Sequence, residues 1–338
     1  MVALLIGVIL VLGMVQVFGA SRAAYQLSEG MARTQENGRF AMDFLQRDIR
    51  MAGHFGCVND QARRQIGDAF NSHFTADGVL DFGYSIRGYE NASPAGLTLN
   101  PTRVTGTDSI VLRFLTGNGA PVMTVDASAP AAPFATVDPD KWEVLQEGGV
   151  ASPELFGIAD CSYVDIFDAA SVDATNGKVV APSGIDLGRY GTSPGGGPAM
   201  LYRADVVVYY IGLGAGGRPS LWRARVNADG SVASEELVEG VENLQFRYGM
   251  DSNTADDPTG FIATQGTATD VGTTDLQWRR VGQVQVAMLV ASPGPAVAAQ
   301  ASGFTPNLLG ATATLPDDSR YRTVYETTIA LRNRLYGN

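Results

Sequence analysis

The chain has 338 residues, 45% of them apolar, and 24 Lys and Arg against 35 Asp and Glu give it a net charge of −11 and a pI near 4.7. So acidic a surface repels phosphate, which argues against nucleic acid as a principal partner. Two histidines and two cysteines, the latter outside any CxxC pair, make a zinc site or a His-based triad improbable. No GxSxG, P-loop or HExxH motif occurs either, so no enzyme and no cofactor are expected.

Residues 1–20, MVALLIGVILVLGMVQVFGA, are apolar except for Gln16. About 20 residues at ~1.5 Å rise cover the hydrocarbon core of a bilayer, so the run predicts a transmembrane helix. A signal peptide fits poorly, because no basic segment precedes the run and no small-x-small cleavage site ends it. Arg22 and Arg33 follow the span, but Glu29 and Glu36 dilute the basic signal that would set its orientation.

No proline interrupts residues 21–53, and Tyr25, Leu27, Met31, Phe40, Ala41, Phe44, Leu45 and Ile49 recur at roughly helical spacing. The expected element is therefore one helix over 1–53, transmembrane over 1–20 and amphipathic over 21–53, ending at Gly53-His54-Phe55-Gly56. Leu5, Val8, Leu12, Val15, Phe18, Tyr25, Met31, Phe40 and Phe44 are its candidate subunit-packing residues. Gly7, Gly13 and Gly19 would let other helices approach closely. Charges alternate in sign from Arg33 to Arg50, which predicts a solvent face with i, i+4 pairs such as Asp43 with Arg47, or ion pairs between subunits.

Residues 58–101 read as a long loop with short elements, and Ser109–Thr116 as the first strong strand. Residues 126–140 and 183–198 are rich in Pro, Gly, Ala and Ser and read as surface loops. They bracket a strand around Tyr163–Phe167. Asp205–Gly212, DVVVYYIG, fits a strand buried on both faces. A turn at Gly214–Gly217 joins it to Ser220–Asn227, where Trp222, Ala224 and Val226 share a face, as a hairpin. The glycine pattern from Gly212 to Gly217 mimics a nucleotide fingerprint, but joining two strands makes it a hairpin loop. Leu244, Phe246 and Tyr248 alternate within 236–248, as do Val284, Val286, Met288 and Val290 within 281–291. Tyr321, Thr323, Tyr325, Thr327 and Ile329 share a face in the last strand, 321–331.

The fold class expected is α+β, a long N-terminal helix packed on an antiparallel sheet with long loops. Residues 54–338 form the β-rich exported domain, either as one body or as two lobes dividing near 200. In an exported domain Cys57 and Cys161 are expected to pair, the alternative being two separately buried thiols. Asp251, Asn253, Asp256 and Asp257 gather hard oxygen ligands and are calcium candidates, although the EF-hand glycine and glutamate are missing and a solvated turn is the plainer reading. His54 reads as a capping or packing residue.

MVALLIGVILVLG followed by QENGRFAMDFLQRDIRMAGHFGC resembles the PilW family of minor pilins. LVEGVENLQFRYGMD, RTVYETTIALRNRL and the DCSYVDIF segment around Cys161 resemble later parts of that family. The resemblance implies a type IV pilin-like fold and a non-enzymatic minor pilin that joins other minor pilins and the major pilin to prime pilus assembly, at or near the fibre tip. Its implied partners also include the inner-membrane assembly platform and a tip adhesin. Before assembly it would sit in the inner membrane with its domain in the periplasm. The family is made with a short basic leader, an N-methylated terminus and an acidic residue a few positions in. The sequence from Met1 shows neither that leader nor that acidic residue, so the chain is expected to start several residues inside the mature protein. The rival readings are a minor pseudopilin of a type II secretion system and a membrane-anchored periplasmic binding protein or enzyme.

Overall fold

In a computed structural model of the protein, the residues described are 1–58, 69–76, 78–191, 198–253, 259–296 and 304–334. One helix, α1 (Val2–Met51), precedes eighteen strands among them. In chain order these are β1 (Phe70–Ser72), β2 (Ile86–Tyr89), β3 (Ser109–Leu115), β4 (Ala120–Asp126), β5 (Phe134–Val137), β6 (Leu155–Ala159), β7 (Val164–Asp168), β8 (Ser171–Asp173) and β9 (Lys178–Val180). They continue with β10 (Met200–Leu213), β11 (Pro219–Val226), β12 (Val232–Glu239), β13 (Val241–Asp251), β14 (Ile262–Gly266), β15 (Val281–Pro295), β16 (Asn307–Leu308), β17 (Ala311–Thr312) and β18 (Arg320–Ala330). The class is α+β, with almost every pairing antiparallel; β1 on β7 is parallel.

β10 organises the larger, twelve-stranded sheet. Its first residues, 200–203, pair with β6 and, at 200–201, with β4, whereas 204–213 pair with β3 and β11. Its apolar run explains this position, because a strand covered on both faces needs apolar residues at every step. Val207, Tyr209 and Ile211 enter one core cluster and Val206, Val208 and Tyr210 another. The hairpin to β11 forms through the Gly214–Gly217 turn, and Ala224 and Val226 are buried with Trp222 packed beside them.

The smaller sheet runs β14-β13-β15-β18. Leu244, Phe246 and Tyr248 of β13 and Val284, Val286, Met288 and Val290 of β15 share a core with α1 and the inner face of β3, β10 and β11. Residues 236–248 are not one element. Gly240, at φ 88°, breaks them into β12 and β13, and a Cβ there would lie 2.8 Å from the Ala291 carbonyl oxygen. The stretch 126–140 is also more ordered than loop composition predicts, since β5 lies within it and Ala135 and Val137 are buried.

Candidate assembly surface

α1 has two halves with different surroundings. It is the one described helix long and apolar enough to cross a membrane, and none of that apolar window is buried. From Val2 to Glu29 no residue of α1 is buried, so about 40 Å of helix projects from the domain. Leu5, Val8, Leu12, Val15, Phe18, Tyr25, Met31 and Phe40 are all exposed. Phe44 differs: it is half-buried against the core shared by the two sheets.

The second half docks through a different face from the one its large apolar residues suggest. The buried residues are Gly30, Thr34, Gly38, Ala41, Met42, Leu45, Asp48 and Ile49. Of the expected stripe, Ala41, Leu45 and Ile49 turn inward, while Tyr25, Met31 and Phe40 turn outward. The inward seam begins with small residues because the sheet comes very close. A Cβ on Gly30 would lie 3.3 Å from the Cβ atoms of Ser292 and Ala296, and the Tyr325 ring packs on Gly38. Tyr325 donates its hydroxyl to the Thr34 carbonyl at 3.2 Å, and Asn37 Nδ2 donates to the Glu239 carbonyl at 3.0 Å.

Polar contacts complete the seam nearer the domain. Asp48 Oδ2 accepts from the Tyr209 hydroxyl at 2.6 Å and from Arg223 at 3.3 Å, and Arg223 also pairs with Glu235 at 2.5 Å. Burial, joined by the neighbouring Asp48 charge, pushes the Tyr209 hydroxyl well above the usual tyrosine range. Burial alone would weaken the Arg223 charge, but its anionic surroundings and its hydrogen bond to Glu235 outweigh that and hold the proton more firmly. The expected Asp43 to Arg47 pair does not form. Arg47 lies over the Phe44 ring, 5.9 Å from its centre, and the ion pair on this face joins Arg33 to Glu36 at 3.6 Å.

Beyond Met51 the chain turns through Gly53 and Gly56, both at positive φ, as the sequence predicts. Cys57 and Cys161 form a disulfide with Cα atoms 4.6 Å apart, tying the end of α1 to the β6–β7 turn. His54 packs edge-on to Tyr202, and burial lowers its affinity for a proton.

On β7, which starts three residues past Cys161, lies the centre of a charged cluster that sequence reading missed. Asp165 of β7 accepts from His73 Nε2 at 2.7 Å, from the Tyr190 hydroxyl at 2.5 Å and from Arg189. Burial would raise the Asp165 pKa, but these three donors together leave it below the usual carboxylate range. His73 and Asp165 are 92 residues apart, and no local spacing signals such a contact.

Asp251 ends β13 with its carboxylate occupied by the loop that follows. Oδ1 accepts from the Asn253 backbone at 2.8 Å and the Thr259 hydroxyl at 3.0 Å, and Oδ2 from the Gly260 backbone at 2.6 Å. Asp256 and Asp257 lie outside the described residues. Among the described residues no group of three or more His, Cys, Asp or Glu is placed to hold a metal ion.

The family model for the type IV pilus-assembly protein W matches residues 208–333, from the middle of β10 past the end of β18. No curated protein and no solved structure matches the chain. The matched segment holds the smaller sheet and most of the surface on which α1 docks.

Proposed function

We propose that the chain is a PilW-like type IV pilus-assembly protein, a reading the family match over residues 208–333 supports, and that it acts as a minor pilin, joining other minor pilins and the major pilin to prime assembly, with its domain at or near the fibre tip. The observation that carries this reading is the division of α1. Val2–Glu29 stand free of the domain, while Gly30–Ile49 are keyed into the matched region through Ser292, Tyr325 and Tyr209. A helix so divided can wait in a membrane and later bury its apolar half among other helices at little cost, because both environments are apolar.

The size of the domain supports a capping position over a repeated one. Its loops and the larger sheet add far more surface than a shaft subunit needs for lateral packing. The reading places the protein first in the inner membrane with its domain in the periplasm, where an oxidising milieu suits the disulfide. No chemistry is required of it: helix packing supplies the joint, and the sheets supply specific contacts.

The test is deletion of the complete gene in a strain unable to retract pili, with surface pili counted by electron microscopy. Loss of pili, restored by complementation, is expected. Normal piliation together with a defect in protein secretion would replace this reading with that of a secretion pseudopilin.

A further inference from the structure

The two sheets leave two long strand edges unpaired among the described residues, that of β12 and that of β18. An open edge presents free N–H and C=O groups to any extended chain, so soluble domains usually guard it with charge, proline or a bulge. β12 is guarded: Glu235, Glu236 and Glu239 crowd its eight residues. β18 is longer, at eleven residues, and has no proline; Arg320 and Arg322 at its start are paired with Asp318 and Glu242, which leaves Glu326 as the one charge over 323–330, within the β-favouring run Thr323, Val324, Tyr325, Thr327, Thr328 and Ile329.

The ladder fixes which backbone groups of β18 point outward. Leu331 donates to the Gly282 carbonyl across the β15 pairing, and residues opposite each other in an antiparallel pair alternate between bonded and non-bonded. Ile329, Thr327 and Tyr325 therefore turn their backbone groups to β15, and Ala330, Thr328, Glu326 and Val324 turn theirs to the free edge. Glu326, Thr328 and Ala330 are also exposed at the side chain.

The charge beside that edge says what would cover it. Asn333 donates to the Arg50 carbonyl at 3.0 Å, which brings the residues just past β18 against the last turn of α1. Arg47, Arg50 and Arg332 are thereby gathered at one end of the strand, all exposed. In a chain of net charge −11, these three cations have no carboxylate partner among the described residues.

We propose that the β18 edge is a strand-addition site, taking an extended segment of a neighbouring pilus subunit that carries acidic residues at the end lying beside Ala330. Main-chain hydrogen bonds to Val324, Glu326, Thr328 and Ala330 supply the binding, and Arg47, Arg50 and Arg332 set the register by meeting the acidic end. Such a joint is independent of helix packing and would give this subunit a second, directional contact. The inference rests on the reading of the chain as a subunit of an assembling fibre.

The experiment places a photo-crosslinking residue at Glu326 or Thr328 of the full-length protein in its own pilus-assembling host, and maps the products by mass spectrometry. A cross-link to one stretch of another pilus subunit, with Asp or Glu at its end, is expected. Thr328→Pro, which removes an outward N–H and leaves the β15 ladder intact, should abolish the cross-link formed from Glu326, whereas Thr328→Val should retain it. Reversal of Arg47, Arg50 and Arg332 to Glu should lower its yield several-fold. Formation of the Cys57–Cys161 disulfide, read on a non-reducing gel, reports that each variant has folded. Absence of any intermolecular product from both positions, in a strain where a photo-crosslinker at Phe18 does link to other subunits, overturns the proposal. So does an unchanged cross-link from folded Thr328→Pro. If gene deletion abolishes pili while these cross-links are missing, the edge proposal fails alone and the assembly role stands.

Discussion

Gly38 of α1 lies flat against the ring of Tyr325 in β18, so close that a Cβ at position 38 would sit 2.5 Å from ring carbon Cε2. The ring is held there by its hydroxyl, which reaches the Thr34 carbonyl one turn earlier on the same helix. α1 is thus keyed to the sheet at a fixed height and rotation by one aromatic wedge in a notch of small residues.

Replacement of Gly38 by Ala should therefore destabilise the docked helix even though it favours the helix itself. Alanine gains about 1 kcal/mol over glycine in a helix interior. Overpacking a fitted contact costs about 1–3 kcal/mol, and here the Tyr325 ring must leave its place or break its hydrogen bond. Thermal unfolding of the domain should show a lowered midpoint for Gly38→Ala. In a Tyr325→Ala background the same substitution should become stabilising, since only the helix preference remains.

A second expectation concerns the disulfide. It closes a loop of 104 residues between the end of α1 and the β6–β7 turn. Constraint of the unfolded chain over such a loop is worth about 4–5 kcal/mol in the entropy model, within a measured range of about 2–5 kcal/mol for native bridges. Cys57→Ser with Cys161→Ser, or reduction of the native protein, should lower stability by that order. Differential scanning calorimetry with and without reductant is the measurement, and coincident transitions would contradict the expectation.

Acid should weaken the protein through Asp165. Its pKa lies below the unfolded value, so the unfolded chain binds the proton more readily and stability falls as pH drops. The contribution is fully present above the unfolded carboxylate value of about 4 and is lost as pH falls through the lower folded value. Asp165→Asn should flatten that part of the stability curve while lowering stability at neutral pH, because Arg189 and Tyr190 lose their acceptor charge. Urea unfolding midpoints of both proteins, followed from neutral pH into the acid range, test this.

These features differ in how far the amino-acid sequence reveals them. The runs in β10, β13, β15 and β18 are legible because a strand buried on one or both faces needs apolar residues at a period of two or at every step. The length of α1 is legible because nothing in residues 1–51 can stop a helix. Its docking face is not, because Gly30, Thr34 and Gly38 carry no hydrophobic signal; they matter through the closeness of Ser292 and Tyr325, which lie more than 250 residues away in the chain. The large residues Tyr25, Met31 and Phe40 suggest the opposite face, and their exposure fits a helix whose other partners lie outside this chain. Asp48 and Asp165 are hidden for a related reason: a buried carboxylate looks like any surface acid until the fold brings Tyr209 and Arg223, or His73 and Tyr190, against it.

Alkali should act through three buried tyrosines. The hydroxyls of Tyr190, Tyr209 and Tyr248 are all held protonated above the usual range, chiefly by burial. A group whose folded pKa is raised contributes stability that is fully present below its unfolded value, about 10 for tyrosine, and is lost as pH rises through the folded value. Stability should therefore decline above about pH 10, with tyrosinate absorbance for these three side chains developing only together with unfolding. Tyr209 adds a specific link, because its proton is the one donated to Asp48 and its loss would set two anions face to face between α1 and β10. Tyr209→Phe removes that titration but leaves Asp48 with Arg223 alone. It should cost about 1–2 kcal/mol at neutral pH and make the alkaline decline shallower, which thermal unfolding across the alkaline range would register as converging midpoints for the two proteins.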